Sequence, residues 1–376
     1  MIDFGRVVPP TSVLTGVDAH ERGVQRGAAR PGRLAACWST YGRLFAAGGI
    51  DEEQVRSAAL ACLTAVDGWA PDLAAEVRGT ARGAGLEVWQ VAALNARTEI
   101  LSLARPAGST AVRPGECSTV ISTGSPAYSV QTWDWHVELA EAWHLQSVET
   151  RTGRFVGITE EGILAKIGVN DAGVAVHLNV LGHRDDAPGG VPVHVAVAQV
   201  LHCARSLDEA VDLLRDAPVR SSSALSVVTE DGAVVVELSP HGAAVVSTDL
   251  RYLLHTNHFL DARLARAEKS ELYQPDSGNR LELLERRCAA GFAADGPLDL
   301  VRHLCSSPGD GAELCCLPDP EARLGERWAT LATVALQPRE RSMLVSAGTP
   351  AMARPEGWTT LGCDDSRGER TRELSS

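Results

Sequence analysis

Glu116-Cys117-Ser118-Thr119-Val120 is the stretch on which the reading of this chain turns. Arg113-Pro114-Gly115 precedes it, and a Pro-Gly pair favours an exposed, turn-prone loop. Val120-Ile121-Ser122-Thr123 follows, with the β-branched content of a buried strand. A cysteine at the mouth of a central strand, behind a flexible loop, stands where a nucleophile would stand. The plainer alternative is a strand cysteine that only packs, because a free thiol behaves as a small hydrophobe. The rest of the chain has to separate the two.

Composition narrows the field. A chain of 376 residues, 44% hydrophobic and 22% charged, can build an ample core in one large domain or two smaller ones. Its net charge of −13, with no basic run, argues against nucleic-acid partners and anionic membrane surfaces. Met1-Ile2-Asp3-Phe4-Gly5-Arg6 has no basic segment leading into an apolar one, and no window of 18 apolar residues occurs. The expectation is a cytoplasmic chain without a membrane span. Nine cysteines, an odd number at irregular spacing, favour reduced thiols. Cys315-Cys316 has no CxxC beside it, and His177 and His183 lack partner ligands at metal spacing, so neither a metal nor a cofactor is expected.

Along the chain, periodicity sets the architecture. Residues 1–30 read as an extended start followed by a helix. Gly16, Gly23 and Gly27 have the wrong spacing for a phosphate loop, and a close-packed helix suits them better. Asp51-Glu52-Glu53-Gln54 carries an N-cap and a capping-box glutamine for a helix through about Val66. Pro71-Asp72 starts another, ended by Gly83-Ala84-Gly85, and 87–102 reads as a third. That third segment holds Asn95, Arg97 and Glu99, and residues two apart cannot share a helix face. It is therefore packed on two sides or ends there. Arg97 and Glu99 read as a structural ion pair.

From 117 the period changes to 2. Strands are expected at 117–123, 127–134, 142–150, 154–159, 162–168 and 173–180, helices at 191–203 and 206–215, and strands again at 223–229, 232–238, 242–247 and 251–255. Residues 259–305 read as helices broken at 274–278 and near Gly291. Residues 306–327 are loop-rich, 328–336 and 341–347 are the last strands, and the tail after Pro355 reads as loose. This order fits an α+β fold of two stacked, mainly antiparallel sheets with helices outside.

Four features line up with Cys117. They are Leu94-Asn95-Ala96-Arg97-Thr98-Glu99-Ile100, Gln131-Thr132-Trp133-Asp134-Trp135, Gly168-Val169-Asn170-Asp171-Ala172-Gly173-Val174 and His255-Thr256-Asn257-His258-Phe259. Their order and spacing, from Gly16 to Pro350, resemble the acyl-coenzyme A:6-aminopenicillanic acid acyltransferase family, also called peptidase family C45, within the N-terminal nucleophile (Ntn) hydrolases. The segment from Gly79 to Glu99 is similar to the family pattern.

The resemblance implies a single domain over 1–376 with a four-layer αββα sandwich. It also implies a precursor that cuts itself between Glu116 and Cys117, leaving a mostly helical 1–116 fragment bound to a 117–376 fragment. A thiol has a pKa of about 8.5 and an α-amine about 7.7–8, so cleavage would create a base beside the sulfur. In this reading Cys117 forms a thioester and Asn257 donates to its oxyanion. Asp134 holds the α-ammonium, Thr119 assists self-cleavage, and Arg327 supplies a further positive charge. Glu116 departs from the glycine found before the cysteine in the best-known fungal member, and glycine eases a strained backbone.

Residue by residue, plainer readings stand beside these. Asp134 also fits a strand-end aspartate, Asn257 a turn asparagine, and Trp133 and Trp135 core aromatics. The substrates implied are a small-molecule acyl donor, acyl-coenzyme A or another acyl thioester among them, and an amine or water as acceptor. A homo-oligomer is compatible with the family. Two other readings remain open. One is an unprocessed, non-catalytic small-molecule-binding member of the fold. The other is a Cys/His hydrolase using His255 or His258 as base.

Overall fold

The computed structural model describes residues 9–16, 18–104, 117–269, 276–290, 296–353 and 357–364. Six helices open the chain: α1 (Ala19–Ala29), α2 (Pro31–Ala47), α3 (Glu52–Trp69), α4 (Pro71–Ala84), α5 (Val88–Asn95) and α6 (Arg97–Leu101). Asp51 and Gln54 form the expected capping box on α3. Gly85 ends α4 in the left-handed conformation at φ 69°, where a side chain would be strained. The glycines of α1 do serve close packing. A Cβ on Gly23 or Gly27 would meet α4 backbone atoms at 2.1 Å, and one on Gly79 would meet His20 O at 2.1 Å. Arg22 and Arg26 of α1 both pair with the fully buried Glu76 of α4.

Two sheets follow. An eight-stranded sheet runs β1-β4-β5-β6-β7-β8-β9-β10, made of Thr11–Leu14, Trp143–Glu149, Arg154–Glu160, Ile167–Asn170, Ala175–Val180, Ser223–Thr229, Gly232–Ser239 and Gly242–Val246. Only β1 is parallel to its neighbour. A six-stranded antiparallel sheet runs β11-β2-β3-β12-β13-β14, made of Tyr252–His255, Ser118–Ser122, Tyr128–His136, Trp328–Gln337, Ser342–Ala347 and Thr359–Gly362. The sheets face each other, β2 against β7 and β12 against β6. Helices α7 (Val193–Cys203) and α8 (Leu207–Asp216) cover the outside of the larger sheet. Helix α9 (Asp276–Ala289) and the short helix Pro297–Val301 cover the smaller one. The fold is therefore the α+β, αββα arrangement expected.

Alternate residues of the smaller sheet serve two cores. Ile121 and Trp133 join the large core between the sheets, whereas Val120 and Val130 pack under Leu284 and Leu300 of the outer helices. Both faces are covered, so these strands are buried at nearly every position.

Three expectations need correction. The segment 87–102 is two helices, broken at Ala96, because its side chains are drawn in two directions. Residues 162–166 are not strand. The Asn95 side chain bonds Gly162 O (2.9 Å) and Leu164 N (3.0 Å), taking groups that a ladder would need, and β6 starts only at Ile167. The tail after Pro355 is not all loose, since β14 pairs with β13 from Thr359 to Gly362.

Candidate functional site

Cys117 stands one residue before β2 and is 7% exposed. Antiparallel pairing of β11 with β2 sets His255 opposite Thr119. Two more steps bring Asn257 level with Cys117, 140 positions away in sequence. The Cys117 carbonyl accepts from Asn179 Nδ2 on β7 (2.8 Å) and from Arg280 Nη1 on α9 (3.3 Å). The strand mouth is thus clamped from the inner sheet and from the outer helix at once.

Arg280 has no exposed surface. It also donates to Ser118 Oγ (3.0 Å), Asn257 Oδ1 (3.1 Å) and Asp276 Oδ2 (2.7 Å). A guanidinium only donates, so it fixes which way the Asn257 amide points. The oxygen faces Arg280, and Nδ2 turns away to donate to Val180 O (2.8 Å). The Asn257 backbone N–H is held by Ser277 Oγ (2.8 Å). Beyond α9 lies a cleft of about 720 Å³ with Asp276 and Asn279 on one wall and the loop 306–313 on the other.

Thr119 lies beneath, fully buried. Its hydroxyl donates to Asn179 Oδ1 (2.8 Å) and accepts from Gln131 Nε2 (2.7 Å), which also reaches Asn179 Oδ1 (3.0 Å). This closed network aims the Asn179 amide hydrogens at Cys117 O.

Asp134 is 1% exposed on β3, and its carbonyl oxygen lies 3.9 Å from Cys117 Sγ. Its carboxyl takes a bond from Cys316 Sγ (3.6 Å) at Oδ2, while Oδ1 is buried with no hydrogen-bond partner among the described residues. Burial pushes its pKa up from 3.8 to about 7, and Thr330 and Arg280 offset only part of that. A folded-state pKa raised in this way favours the acid form. Its contribution to stability is full below pH 3.8 and declines as pH climbs towards 7. In the Cys117→Ala chain, Asp134→Asn is therefore expected to melt above its parent at pH 8. The gap should close as pH falls towards 4. Parallel melting curves at every pH would show that Asp134 is not a strained carboxylate.

Glu160, at the end of β5, anchors a second buried cluster. It accepts from Arg97 Nη2 (2.7 Å), Lys166 Nζ (2.9 Å) and the Tyr41 hydroxyl. Burial opposes its charge, but Arg97 and Lys166 overcome that and hold the carboxyl well below the usual range. Burial, with Arg97 beside it, lowers Lys166 to about 8. Arg97 stacks 4.0 Å over the Trp135 ring and Lys166 4.5 Å over Trp133. Trp133 and Trp135 are thus core aromatics that roof an ion cluster.

The structure brings Cys117, Asn257 and Thr119 together, with Asp134 beside them. It does not bring Arg327, which pairs with Glu138 (Nη2, 2.7 Å) and is 34% exposed. The arginine at Cys117 is Arg280, which sequence reading missed. Nothing in the linear sequence sets it apart from Arg286 or Arg287 on the same helix. Asn179 was missed too, though an amide in the run Val176-His177-Leu178-Asn179-Val180 is a readable signal, since buried amides need partners. Arg97 and Glu99 are not each other's hydrogen-bonded partners. Glu99 instead accepts from Val193 N (2.9 Å) and Ser221 Oγ (2.8 Å). Asn95 ties α5 to the 162–164 turn. Glu116 lies outside the described residues.

Both nitrogens of His255 are engaged, by Glu237 Oε1 (2.9 Å) and Thr256 O (2.8 Å), leaving none to act as a base. His258 is bonded to Ser277 Oγ (2.7 Å), and burial lowers its pKa to about 4.

Residues 121–351 match the family described as acyl-coenzyme A:6-aminopenicillanic acid acyl-transferase, well over half of the chain. The chain belongs to this family. The span matched by the acyl-transferase family includes Asp134, Asn179, Asn257 and Arg280 and starts four residues after Cys117. A relative from Emericella nidulans, the 40 kDa form of acyl-coenzyme A:6-aminopenicillanic-acid-acyltransferase, is 29% identical over 279 residues, 73% of this chain and 74% of its own. Among solved structures, penicillin V acylase from Agrobacterium tumefaciens aligns at 15% identity and TM-score 0.41, covering 61% of this chain and 83% of its own. The Caenorhabditis elegans orthologue of N-acylethanolamine-hydrolyzing acid amidase aligns at 16% and 0.41, covering 59% and 93%. Among the described residues, no helix is long and apolar enough to cross a membrane.

Proposed function

We propose that this acyl-transferase family member is an enzyme whose nucleophile is the thiol of Cys117, set free at a new N-terminus by cleavage of the Glu116–Cys117 bond. The observation that carries the reading is the Arg280 guanidinium, bonded to both Cys117 O and Asn257 Oδ1. One buried group thereby fixes a thiol-bearing strand end and an amide donor at the same point.

In the mature chain the Cys117 α-amine takes the thiol proton, and the sulfur attacks the carbonyl of a small acyl donor. The Asn257 amide donates to the oxyanion as the tetrahedral species forms. The leaving amine or thiol takes the proton back and departs, leaving a thioester on Cys117. An amine or water then gives a proton to the α-amine and attacks that thioester; the C–S bond breaks, the acyl group leaves on the amine or as the acid, and the proton returns to the Cys117 sulfur. Asp134 suits the α-ammonium, because its buried Oδ1 lacks a partner among the described residues and a cation there would stabilise the charged carboxyl. Thr119 acts through Asn179, holding the Cys117 carbonyl still. The donor is an amide or an acyl thioester such as acyl-coenzyme A.

Intact-mass measurement of the wild type and of Cys117→Ala tests this. The wild type should split into chains of 116 and 260 residues, the larger beginning at Cys117. Cys117→Ala should persist as one species of about 39.8 kDa. A wild type that also stays whole after long incubation would favour an unprocessed binding protein. A larger chain starting elsewhere would move the nucleophile.

A further inference from the structure

We propose that His183, Asp185 and His241 form a binding site for a divalent transition-metal ion of the zinc class, outside the Cys117 site. One ligand atom from each residue lies within 4.8 Å of the other two. Asp185 Oδ2 is 2.7 Å from His241 Nε2 and 3.7 Å from His183 Nδ1. Zinc bonds to nitrogen and oxygen are about 2.0–2.2 Å long, so a tetrahedral ion holds its ligand atoms about 3.3–3.4 Å apart. The two distances from Asp185 straddle that value, and the third pair, His183 with His241, lies within 4.8 Å.

His183 lies in the loop that follows β7, three residues after Val180. His241 occupies the turn between β9 and β10, where Gly242 at φ 105° permits the tight reversal. Sequence reading found no partner ligand for His183. The fold supplies one from 58 residues further on.

The loop side of the site is preorganised. The His183 side chain is 5% exposed, with its ring edge-on to Phe259. The His183 backbone N–H bonds Asp186 Oδ2 (2.7 Å), and Asp186 in turn accepts from Ser222 Oγ (2.7 Å). A β-bridge to Glu268 and bonds from Arg184 N to Ala267 O and from Lys269 N to Gly182 O pin the backbone on the other side. The Asp185 N–H donates into His183 Nδ1 (3.1 Å), so the lone pair of that nitrogen already faces the Asp185 side. An ion would take over that lone pair. The Asp185 carboxyl already meets the His241 ring nitrogen, Oδ2 lying 2.7 Å from Nε2. On the turn, Ser239 Oγ accepts from the His241 backbone N–H (3.0 Å).

Two imidazoles and one carboxylate suit zinc, cobalt, nickel or copper rather than magnesium or calcium, which prefer oxygen cages. Three protein ligands leave a fourth position for water. Asp185 and His241 are 61% and 58% exposed, so an ion can reach them from solvent. Bound there, it would tie the turn of one hairpin to the loop leaving β7, the strand whose Asn179 and Val180 contact Cys117 and Asn257.

The test is zinc titration of the full chain, stripped with a chelator, followed by calorimetry and by thermal unfolding. The wild type should bind one zinc per chain in this site, and its melting temperature should rise with zinc concentration. His241→Ala, a change at an exposed turn, should remain folded. It should weaken that binding by about 100-fold or more, beyond the loss expected from an outer-shell change. Asp185→Asn should weaken it likewise. Cobalt should give the visible absorption of a tetrahedral site in the wild type only. Equal zinc affinity in the wild type and His241→Ala would overturn the site by assigning the ion to thiols elsewhere. Absence of binding in the wild type would overturn it outright.

Discussion

Arg280→Lys is expected to slow release of the 260-residue chain by about 10²–10³-fold, the range seen when one oxyanion donor is lost. The same fall is expected in turnover of a chromogenic short-chain acyl amide by any cleaved protein. The substitution keeps a positive charge near Asp276, so loss of charge cannot explain the effect. What is lost is the fork that spans Cys117 O, Ser118 Oγ and Asn257 Oδ1. An ammonium cannot hold all three, and the Asn257 amide is then free to turn its oxygen towards the reacting centre. Arg280 acts through Asn257, so kcat should fall more than KM rises. Asn257→Ala should produce a loss of the same order, and the double substitution little more, because the two act as one unit. A lysine variant within threefold of wild type would mean that the fork does not orient the amide.

Glu160→Gln is expected to lower unfolding stability by roughly 3–5 kcal/mol, the cost of leaving buried charge uncompensated. Arg97 and Lys166 both lose their counter-ion. Lys166, already lowered to about 8, can escape by shedding its proton. Arg97 cannot, since a guanidinium stays charged. It is 1% exposed, so it would have to carry its charge beside Trp135 without the carboxylate it is bonded to. Urea titration of the uncleaved Cys117→Ala chain, with and without Glu160→Gln, measures the difference. The midpoint should drop while the slope holds. A shift below about 1 kcal/mol would show that water reaches the cluster, as at an exposed pair.

The sequence announced its strands well because most are bounded by turn chemistry. Glu230-Asp231-Gly232 places the β8–β9 hairpin, and Gln337 to Glu340 places β12–β13. It failed where one side chain redirects the backbone. Asn95 reaches 67 residues forward to remake the 162–164 turn, and no local pattern records that. The site was half legible for the same reason. Cys117, Thr119, Asp134 and Asn257 sit in or beside strands whose order could be read. Arg280 sits on a helix whose contact with Cys117 exists only once the outer layer closes. Arg327 ends the loop-rich 306–327, where no periodicity anchors a position, and the structure pairs it with Glu138.

The residues before position 105 do more than lead up to the cysteine. They contribute β1 to the edge of the larger sheet, lodge Arg97 on Glu160 and bond Glu99 to the start of α7. They also set Tyr41 under the Trp135 indole, whose Nε1 donates to its hydroxyl (2.9 Å). Were the bond before Cys117 cut, these contacts would still join the two pieces. After a cut there, gel filtration would report one body and a denaturing gel two. Neither piece could be withdrawn without exposing the other's core, so the break would be a one-way step that the protein survives but cannot repeat.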